Sequence, residues 1–245
     1  MNQKANTELN RRAALLNFGK AGAGVLVASV AASKVSLALD NTLPTPAQVE
    51  GPFYPVKDQL DKDADMTRVK GRQEYAKGDV IKVLGQVIDV DSGQVIPGAV
   101  VEFWQACATG RYNHPRDPNT AVLDRDFQYW AQVQTDENGG FSIKTIVPGA
   151  YPAGNGWIRP PHIHVKVHVR GYPSLTTQLY FKDHPLNEKD LILQKLTPAQ
   201  QDLVILKVDS AIPDQDALAH LTIYLSKFQS HEEGASMSSL ATPEL

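Results

Sequence analysis

The sequence predicts an antiparallel β-sandwich, because short β-branched segments bounded by Gly- and Asp-containing turns recur through most of the chain. Two strand–turn–strand units give the clearest evidence. The first has strands at residues 80–89 and 98–104 with a turn at residues 91–93. The second has strands at residues 129–135 and 141–143 with a turn at residues 136–140. Repetition of this short-strand pattern is typical of two stacked sheets around one core.

The rest of the sequence adds further strands and a short helix. The helix is predicted from Pro198 toward Lys207, because Thr197 is a good N-cap, proline suits the first helical position and Gln200 completes a capping box. One or two short helices are therefore expected beside the sandwich. The further strands are expected at residues 162–169, 176–181 and 221–228.

Composition divides the chain into four segments. Residues 1–38 are predicted to be an export signal, and residues 39–79, first Pro-rich and then polar, an irregular segment that packs on the sandwich. Residues 80–229 are predicted to form the β-sandwich domain that carries the candidate catalytic residues. Residues 230–245 are small and polar, which predicts a disordered tail.

The N-terminal segment resembles a twin-arginine export signal. Arg11 and Arg12 precede an uncharged run at residues 21–33, and Ser36-Leu37-Ala38 has the small-x-Ala pattern of a signal-peptidase site. Thirteen uncharged residues are too few to cross a bilayer core of about 30 Å, so no stable membrane span is expected. The prediction is an exported protein, periplasmic or extracellular, with an uncleaved membrane anchor as the alternative.

Charge and cysteine content exclude several classes of partner and site. The chain has 24 Lys and Arg against 27 Asp and Glu, with no basic block, so nucleic acid is not an expected partner. Without residues 1–38 there remain 19 basic and 26 acidic residues, a net charge of −7. Cys107 is the single cysteine, which excludes an internal disulfide and Cys-based metal clusters. Any metal would therefore be held by His, Tyr or carboxylate.

A histidine pair lies on one predicted strand. His162 and His164 are two residues apart, which places both rings on one face with Cα atoms about 7 Å apart, given a rise of about 3.3 Å per residue. Strand alternation also divides the neighbours, with His162, His164, Lys166 and His168 on one face and Ile163, Val165, Val167 and Val169 on the other. Such a pair either binds a metal ion or simply packs.

Two tyrosines stand beside turn-forming residues. Tyr112 follows Gly110-Arg111, and Tyr151 lies between Gly149-Ala150 and Pro152, so a turn can direct each side chain toward a fixed point. With the histidine pair they offer two phenolates and two neutral imidazoles. Because a free phenol has a pKa of about 10, it binds at neutral pH only where a metal such as a ferric ion stabilises its anion. The alternative is that each tyrosine packs at the edge of the hydrophobic core as an amphipathic residue and binds no metal.

Several motifs in this chain resemble those of the intradiol ring-cleavage dioxygenases, most closely the β chains of protocatechuate 3,4-dioxygenases. The motifs occur in family order between about residues 45 and 185. They are Glu50-Gly51-Pro52-Phe53-Tyr54, Pro97-Gly98-Ala99 with Trp104-Gln105-Ala106 and Gly110-Arg111-Tyr112, Pro148-Gly149-Ala150-Tyr151-Pro152, Arg159-Pro160-Pro161-His162-Ile163-His164, and Thr177-Gln178-Leu179-Tyr180-Phe181. This resemblance implies the family's β-sandwich.

The resemblance also implies a metal centre and a reaction. The metal would be a non-haem Fe(III), with Tyr112 and His162 as equatorial ligands and Tyr151 and His164 as axial ligands. The substrates would be O2 and a small aromatic diol of the catechol type. The ring would be cleaved between its two hydroxyl-bearing carbons, which gives a muconate-type dicarboxylate.

Further roles follow from the same resemblance. Tyr151 would leave the metal and accept a substrate proton, Arg159 would stabilise negative charge on the bound ring, and Gln178 would donate a hydrogen bond near the metal-bound oxygens. The substrate-binding residues are expected to be Gly51, Pro52, Tyr54 and Arg159.

The substrate pocket differs from that of many relatives. Ala153 follows Pro152 where many of them carry an aromatic residue, and a Gly-rich segment at residues 154–156 comes next. Residues 45–54 are expected to line the pocket in cis, a task that a partner subunit performs in the best-known members. The chain is expected to form a homodimer or to pair with a related subunit. Because the acidic chain does not attract anions, uncharged catechols, or hydroxylated and substituted ones, are expected over protocatechuate.

Two other functional classes fit parts of the sequence. A transthyretin-like or carbohydrate-binding sandwich would have the fold without catalysis. A zinc or cupin-like metalloenzyme would use the histidine pair with a third ligand such as His168 or a carboxylate, and would leave the two tyrosines without a role. His114, His168, His184 and His220 are interpreted as structural or surface residues, and Cys107 as a small packed thiol.

Overall fold

The computed structural model describes residues 43–59, 61–209 and 216–228. The predicted export signal and the predicted C-terminal tail lie outside these described residues. Among the helices of the described chain, none has the length and apolar character needed to cross a membrane.

Eleven strands and one short α-helix make up the described fold. The element bounds are β1 (Val80–Asp89), β2 (Val100–Trp104), β3 (Trp130–Gln134), β4 (Gly140–Ile146), β5 (Tyr151–Gly154), β6 (Trp157–Arg159), β7 (His162–His168), β8 (Leu175–Phe181), α1 (Pro198–Asp202), β9 (Ile205–Leu206), β10 (Val208–Asp209) and β11 (Ala217–Leu225), with 3-10 turns at Asn187–Lys189 and Leu193–Lys195. The predicted predominance of strands is confirmed.

The strands form two larger sheets and a hairpin. The four-stranded sheet has the order β10-β11-β1-β4, the five-stranded sheet has the order β3-β2-β7-β8-β9, and β5 pairs with β6. The predicted β-sandwich is confirmed, although two pairings, β1 with β11 and β8 with β9, are parallel. These partners are distant in sequence, so no hairpin turn fixes their direction.

The two strand–turn–strand units link the two sheets instead of pairing their own strands. β1 and β4 belong to the four-stranded sheet, whereas β2 and β3 belong to the five-stranded one. Strand β2 pairs with β3 and β7, and β1 pairs with β4 and β11. Each predicted turn therefore crosses between the layers, because all four strands have an apolar face that must be buried in the shared core.

The buried core explains the alternation along β7. Ile163, Val165 and Val167 are fully buried in the main apolar cluster between the sheets. His162 and His164 point to the opposite face of the same sheet, as strand periodicity predicts. The main core thus positions a second, outward set of side chains on a rigid strand.

The predicted helix begins where expected and ends early. Thr197 accepts a hydrogen bond from the Gln200 amide and the reciprocal bond completes the capping box, but α1 ends at Asp202 rather than continuing toward Lys207. The next residues pair with β8 as strand β9, which buries Leu206. Tertiary pairing therefore overrides the local helical signal.

The segment before β1 covers the outside of the sandwich. Met66 donates its amide to the Lys144 carbonyl at 2.8 Å and Lys62 accepts from Gln132 at 2.8 Å, so one stretch covers the edges of both β4 and β3. Upstream, Gln48 donates its amide to Thr176 at 2.8 Å. The Gln48 bond, together with bonds from Gln178 Nε2 to the Val49 carbonyl at 2.7 Å and from the Tyr54 hydroxyl to Glu102 at 3.0 Å, holds residues 48–54 against the face of the five-stranded sheet that carries the histidines.

The buried carboxylate of Asp89 makes stability depend on pH. Burial alone would raise its pKa, but hydrogen bonds from the Tyr172 hydroxyl and the Ser92 and Asp91 amides, with Lys227 at 3.4 Å, lower the pKa to about 2. A depressed folded-state pKa stabilises the fold above the unfolded pKa of about 4, and this contribution is lost as the pH falls toward 2.

Asp89→Asn is therefore expected to lower the free energy of unfolding by about 2 kcal/mol at neutral pH. Urea unfolding followed by tryptophan fluorescence at pH 7, 4 and 2.5 measures the effect. The exposed turn residue Asp136, mutated to Asn, serves as the control. An equally steep loss of stability between pH 4 and 2.5 in wild type and Asp89→Asn would contradict this assignment.

Candidate metal centre

Four side chains from three parts of the chain meet on the outer face of the five-stranded sheet. Tyr112, Tyr151, His162 and His164 are only 4, 7, 2 and 2% exposed. The Tyr112 hydroxyl lies 3.4 Å from His162 Nε2, and the two imidazole centroids are 4.9 Å apart. The Tyr151 ring centroid lies 5.5 Å from that of Tyr112 and 5.6 Å from that of His162. The structure thus brings together the four residues that the sequence selects.

One backbone carbonyl joins the turns that carry the two tyrosines. The Cys107 carbonyl accepts hydrogen bonds from the Gly110 amide at 2.9 Å and from the Gly149 amide at 3.0 Å. Gly110 has a positive φ of 78°, which favours glycine. The turns leading to Tyr112 and Tyr151 are therefore fixed relative to each other, while strand β7 fixes the two histidines.

The ring of His162 has its tautomer set by a backbone carbonyl. Its Nδ1 lies 2.7 Å from the Pro160 carbonyl oxygen, which can only accept, so Nδ1 carries the proton. The lone pair of Nε2 then points toward Tyr112. A histidine that donates from one ring nitrogen and offers the other is the usual arrangement of a metal ligand.

The ring of His164 stacks on a tryptophan of the neighbouring strand. It lies parallel to the Trp104 indole, with centroids 4.7 Å apart and planes 9° apart, because the two residues are directly opposite in the β2–β7 register. Its Nδ1 has no hydrogen-bond partner among the described residues. A buried imidazole nitrogen without a partner costs free energy, which the packing around the ring has to offset.

Burial keeps all four side chains neutral unless a cation binds. Burial lowers the pKa of both His162 and His164 well below the usual range, and the Arg159 charge lowers them further. Burial raises the pKa of both tyrosines, with Arg159 opposing it. The site therefore holds neutral imidazoles and phenols whose anions need a strong cation, a donor set that fits Fe(III).

The three-ligand zinc alternative has no third ligand in the described chain. No cluster of three His, Cys, Asp or Glu side chains with metal-binding geometry exists among the described residues. His168 instead contacts the Ser174 hydroxyl at 2.7 Å, and its Nε2 lies 3.5 Å from Glu102. The two tyrosines, which that alternative left without a role, lie next to the histidine pair.

Arg159 lies beside the four-residue centre within a buried network. It is directly opposite Tyr151 in the β5–β6 pairing. Its Nε donates to Asp190 Oδ2 at 2.8 Å and its Nη2 donates to Gln178 Oε1 at 2.7 Å. Gln178 in turn donates from Nε2 to the Val49 carbonyl at 2.7 Å. Arg159 and Gln178, both of them predicted site residues, therefore lie beside the four-residue centre. Gln178 also attaches the N-terminal segment to this part of the sheet.

The N-terminal segment approaches the centre through Gly51 and Phe53. A Cβ at Gly51 would lie 3.5 Å from His164 Cε1, and its φ is +75°. The Phe53 ring lies 4.7 Å from Tyr112 and 6.0 Å from Tyr151. Pro52 is exposed, and its carbonyl accepts from Arg116.

Tyr54 faces a different group from its neighbour Phe53. Its hydroxyl donates to Glu102 at 3.0 Å, and its ring packs edge-on against Trp104 at 5.1 Å. Sequence reasoning selected Tyr54 and passed over Phe53, Trp104 and Asp190. Phe53 lies outside any strand, so its direction depends on tertiary contacts, and Trp104 lies at the end of β2, where its pairing with His164 could not be read from local sequence. Asp190 carried no local signal.

Comparison with known proteins identifies the family. A family model described as Dioxygenase matches residues 49–222. The protocatechuate 3,4-dioxygenase beta chain of Burkholderia cepacia is 38% identical over 158 residues, which cover 63% of this chain and 66% of that one. The catechol 1,2-dioxygenase of Acinetobacter baylyi is 29% identical over 194 residues, covering 74% and 60%. The chain thus spans about two thirds or less of the length of these curated relatives.

A solved structure gives the same result. The dioxygenase domain of a dioxygenase carbohydrate-binding protein fusion from Streptomyces sp. SirexAA-E is 29% identical to this chain, with a TM-score of 0.56. The match covers 75% of this chain and 98% of that domain. The family match over most of the described sandwich, together with this structural likeness, shows that the chain belongs to the intradiol ring-cleavage dioxygenase family.

Proposed function

We propose that this protein uses O2 to cleave a catechol-type ring between its hydroxyl-bearing carbons, which yields a muconate-type dicarboxylate. The observation that carries the proposal is the convergence of two buried phenols and two buried imidazoles on one face of a rigid strand pair. The names and activities of its relatives support the same reaction class.

The metal implied by this function is a non-haem Fe(III). Tyr112, Tyr151, His162 and His164 would hold it, because phenolates are hard anionic donors and both histidines are neutral. When bound, the ferric ion would supply Lewis acidity toward a catechol and the redox chemistry that O2 requires. The protein supplies the remaining functions through its own side chains.

Tyr151 is the candidate base of this reaction. Burial raises its pKa, so its Oη, once free of a cation, strongly favours the protonated state and would accept a proton from a catechol hydroxyl. Arg159 faces Tyr151 across the β5–β6 pair and would place positive charge beside an electron-rich ring. Phe53 and Trp104 pack around the tyrosines and histidines and exclude water from the site.

Iron analysis, the visible spectrum and oxygen uptake with a panel of catechols test the proposal. The purified chain is expected to contain iron and to be red to brown from tyrosinate-to-iron charge transfer. A colourless zinc protein would favour the hydrolase alternative, and a colourless metal-free protein a non-catalytic sandwich. Activity of the chain purified alone also tests whether residues 45–54 complete the pocket in cis.

We propose further that uncharged catechols are preferred over protocatechuate. Residues 39–245 carry a net charge of −7, and the charge of Arg159 is already paired with Asp190. The ratio of kcat/KM for catechol to that for protocatechuate is therefore expected to exceed one and to change little between low and high salt. A preference for protocatechuate that weakens as salt rises would reveal a basic pocket and overturn this proposal.

A further inference from the structure

A buried ion pair lies directly behind the candidate substrate site. The side chains of Arg159 and Asp190 are 4% and 0% exposed, and Nε lies 2.8 Å from Oδ2. Asp190 precedes a 3-10 turn, and its Oδ1 accepts the amides of Ile192 at 3.1 Å and Leu193 at 2.8 Å. The backbone therefore holds the carboxylate in place independently of Arg159.

The contacts of Arg159 fix the plane of its guanidinium. Nε donates to Asp190, and Nη2 donates to Gln178 Oε1 at 2.7 Å and to the Tyr180 hydroxyl at 3.3 Å. Because a guanidinium is planar, bonds at two of its nitrogens also determine where the third, Nη1, points. Gln178 and Tyr180 are in turn fixed opposite His164 and His162 in the β7–β8 register.

A buried ion pair is by itself weak evidence for stability, since two apolar residues of similar size often serve as well. Here one partner is fixed by the backbone, and the other is the cross-strand neighbour of Tyr151. We propose that Asp190 is a positioning residue, which sets the orientation of Arg159 toward a ring bound beside Tyr151. This inference rests on the proposed ring-cleavage function, because it assigns Asp190 a task only in that reaction.

A double-mutant cycle tests the proposal. Asp190→Asn keeps the side-chain volume and an oxygen for the two backbone amides, but removes the charge and an acceptor facing Nε. It is expected to lower kcat by about 10- to 100-fold, the scale of a misplaced charged group, with a smaller change in KM. Arg159→Gln is expected to be at least as slow. The double variant is expected to match Arg159→Gln alone, because Asp190 acts only through Arg159.

The matched control is Asp124→Asn. Asp124 is another buried carboxylate, and it accepts the backbone amides of Asp126 and Lys77 at 2.9 and 2.7 Å. The control is expected to shift the melting temperature without lowering kcat. The proposal would be overturned if the effects of Asp190→Asn and Arg159→Gln on kcat multiplied in the double variant. It would also be overturned if kcat were unchanged in Asp190→Asn.

A measurement that needs no turnover separates this inference from the proposed function. In NMR spectra of the iron-free protein the Arg159 Nε–H of the wild type is expected to exchange slowly with solvent, and this protection is expected to be lost in Asp190→Asn, while the iron content of the loaded variant equals that of the wild type. Retained protection would overturn the positioning role, even if the wild type cleaved no catechol. Absence of activity in iron-loaded wild type, with protection lost in the variant, would instead reject only the proposed function.

A second variant covers the case in which Asp190→Asn leaves the buried guanidinium unpaired and does not fold. Arg159→Lys keeps the positive charge but lacks the planar group that can bond to Asp190 and Gln178 together. Under the proposal, Arg159→Lys is expected to lower kcat as much as Asp190→Asn does, because the positive charge is no longer held in a fixed orientation in either variant. Wild-type kcat in Arg159→Lys would show that charge alone suffices and that orientation by Asp190 is not needed.

Discussion

Replacing Tyr112 with Phe is expected to remove most of the bound iron and the visible colour, whereas Tyr151→Phe is expected to keep much of both. Tyr112 is firmly held, since its amide donates to Asp117 Oδ2 at 2.6 Å and its ring packs against Phe53. Loss of such a ligand is expected to lower iron affinity by more than about 100-fold, the upper range for residues that only support ligands.

Tyr151→Phe is expected to affect proton transfer more than metal binding. Tyr151 opens β5, and the three residues that follow it in the strand are exposed, so no buried side chains hold the strand on that side of Tyr151. Loss of a general base typically slows a reaction by about 10²- to 10⁴-fold. Stopped-flow measurement of catechol binding to the iron-loaded variant is expected to show a slowed step at nearly normal iron content.

Metal analysis and the visible spectrum distinguish the two tyrosines. Tyr75→Phe is a suitable control, because Tyr75 is 58% exposed and outside the centre. Similar, mild losses in Tyr112→Phe and Tyr151→Phe would contradict the division of roles. Full iron content in Tyr112→Phe would remove Tyr112 from the ligand set.

Local patterns in the sequence were sufficient to predict how the candidate side chains are presented, whereas the assignment of all four to one metal came from the family resemblance. Alternation along β7 predicted that His162 and His164 share a face, because side-chain direction in a strand follows directly from backbone geometry. Gly and Pro beside Tyr112 and Tyr151 predicted turns, because these residues restrict or extend the accessible φ. Both inferences depend on local conformation, which explains why they did not need tertiary information.

Features that depend on distant pairing could not be predicted in the same way. The parallel pairing of β1 with β11 joins strands more than 120 residues apart, and no turn between them sets the direction. The same limit applies to Asp190. Its role depends on a 2.8 Å contact with Arg159, 31 positions away, and nothing in the residues beside it distinguishes it from a surface carboxylate.

Gly110→Ala is expected to disrupt the metal centre without changing any ligand. A Cβ at Gly110 would lie 2.3 Å from the Ala150 carbonyl oxygen, so the turns carrying Tyr112 and Tyr151 would have to separate. Its φ of +78° adds a backbone cost of about 1–2 kcal/mol for a residue with a side chain. Gly154→Ala is the matched control, since Gly154 also has a positive φ, of 98°, but a Cβ there would meet nothing within 4 Å. Thermal unfolding and iron analysis of both variants are expected to show a similar backbone penalty but a loss of iron in Gly110→Ala alone. Equal iron content in the two variants would show that the contact between the turns does not hold the tyrosines in place.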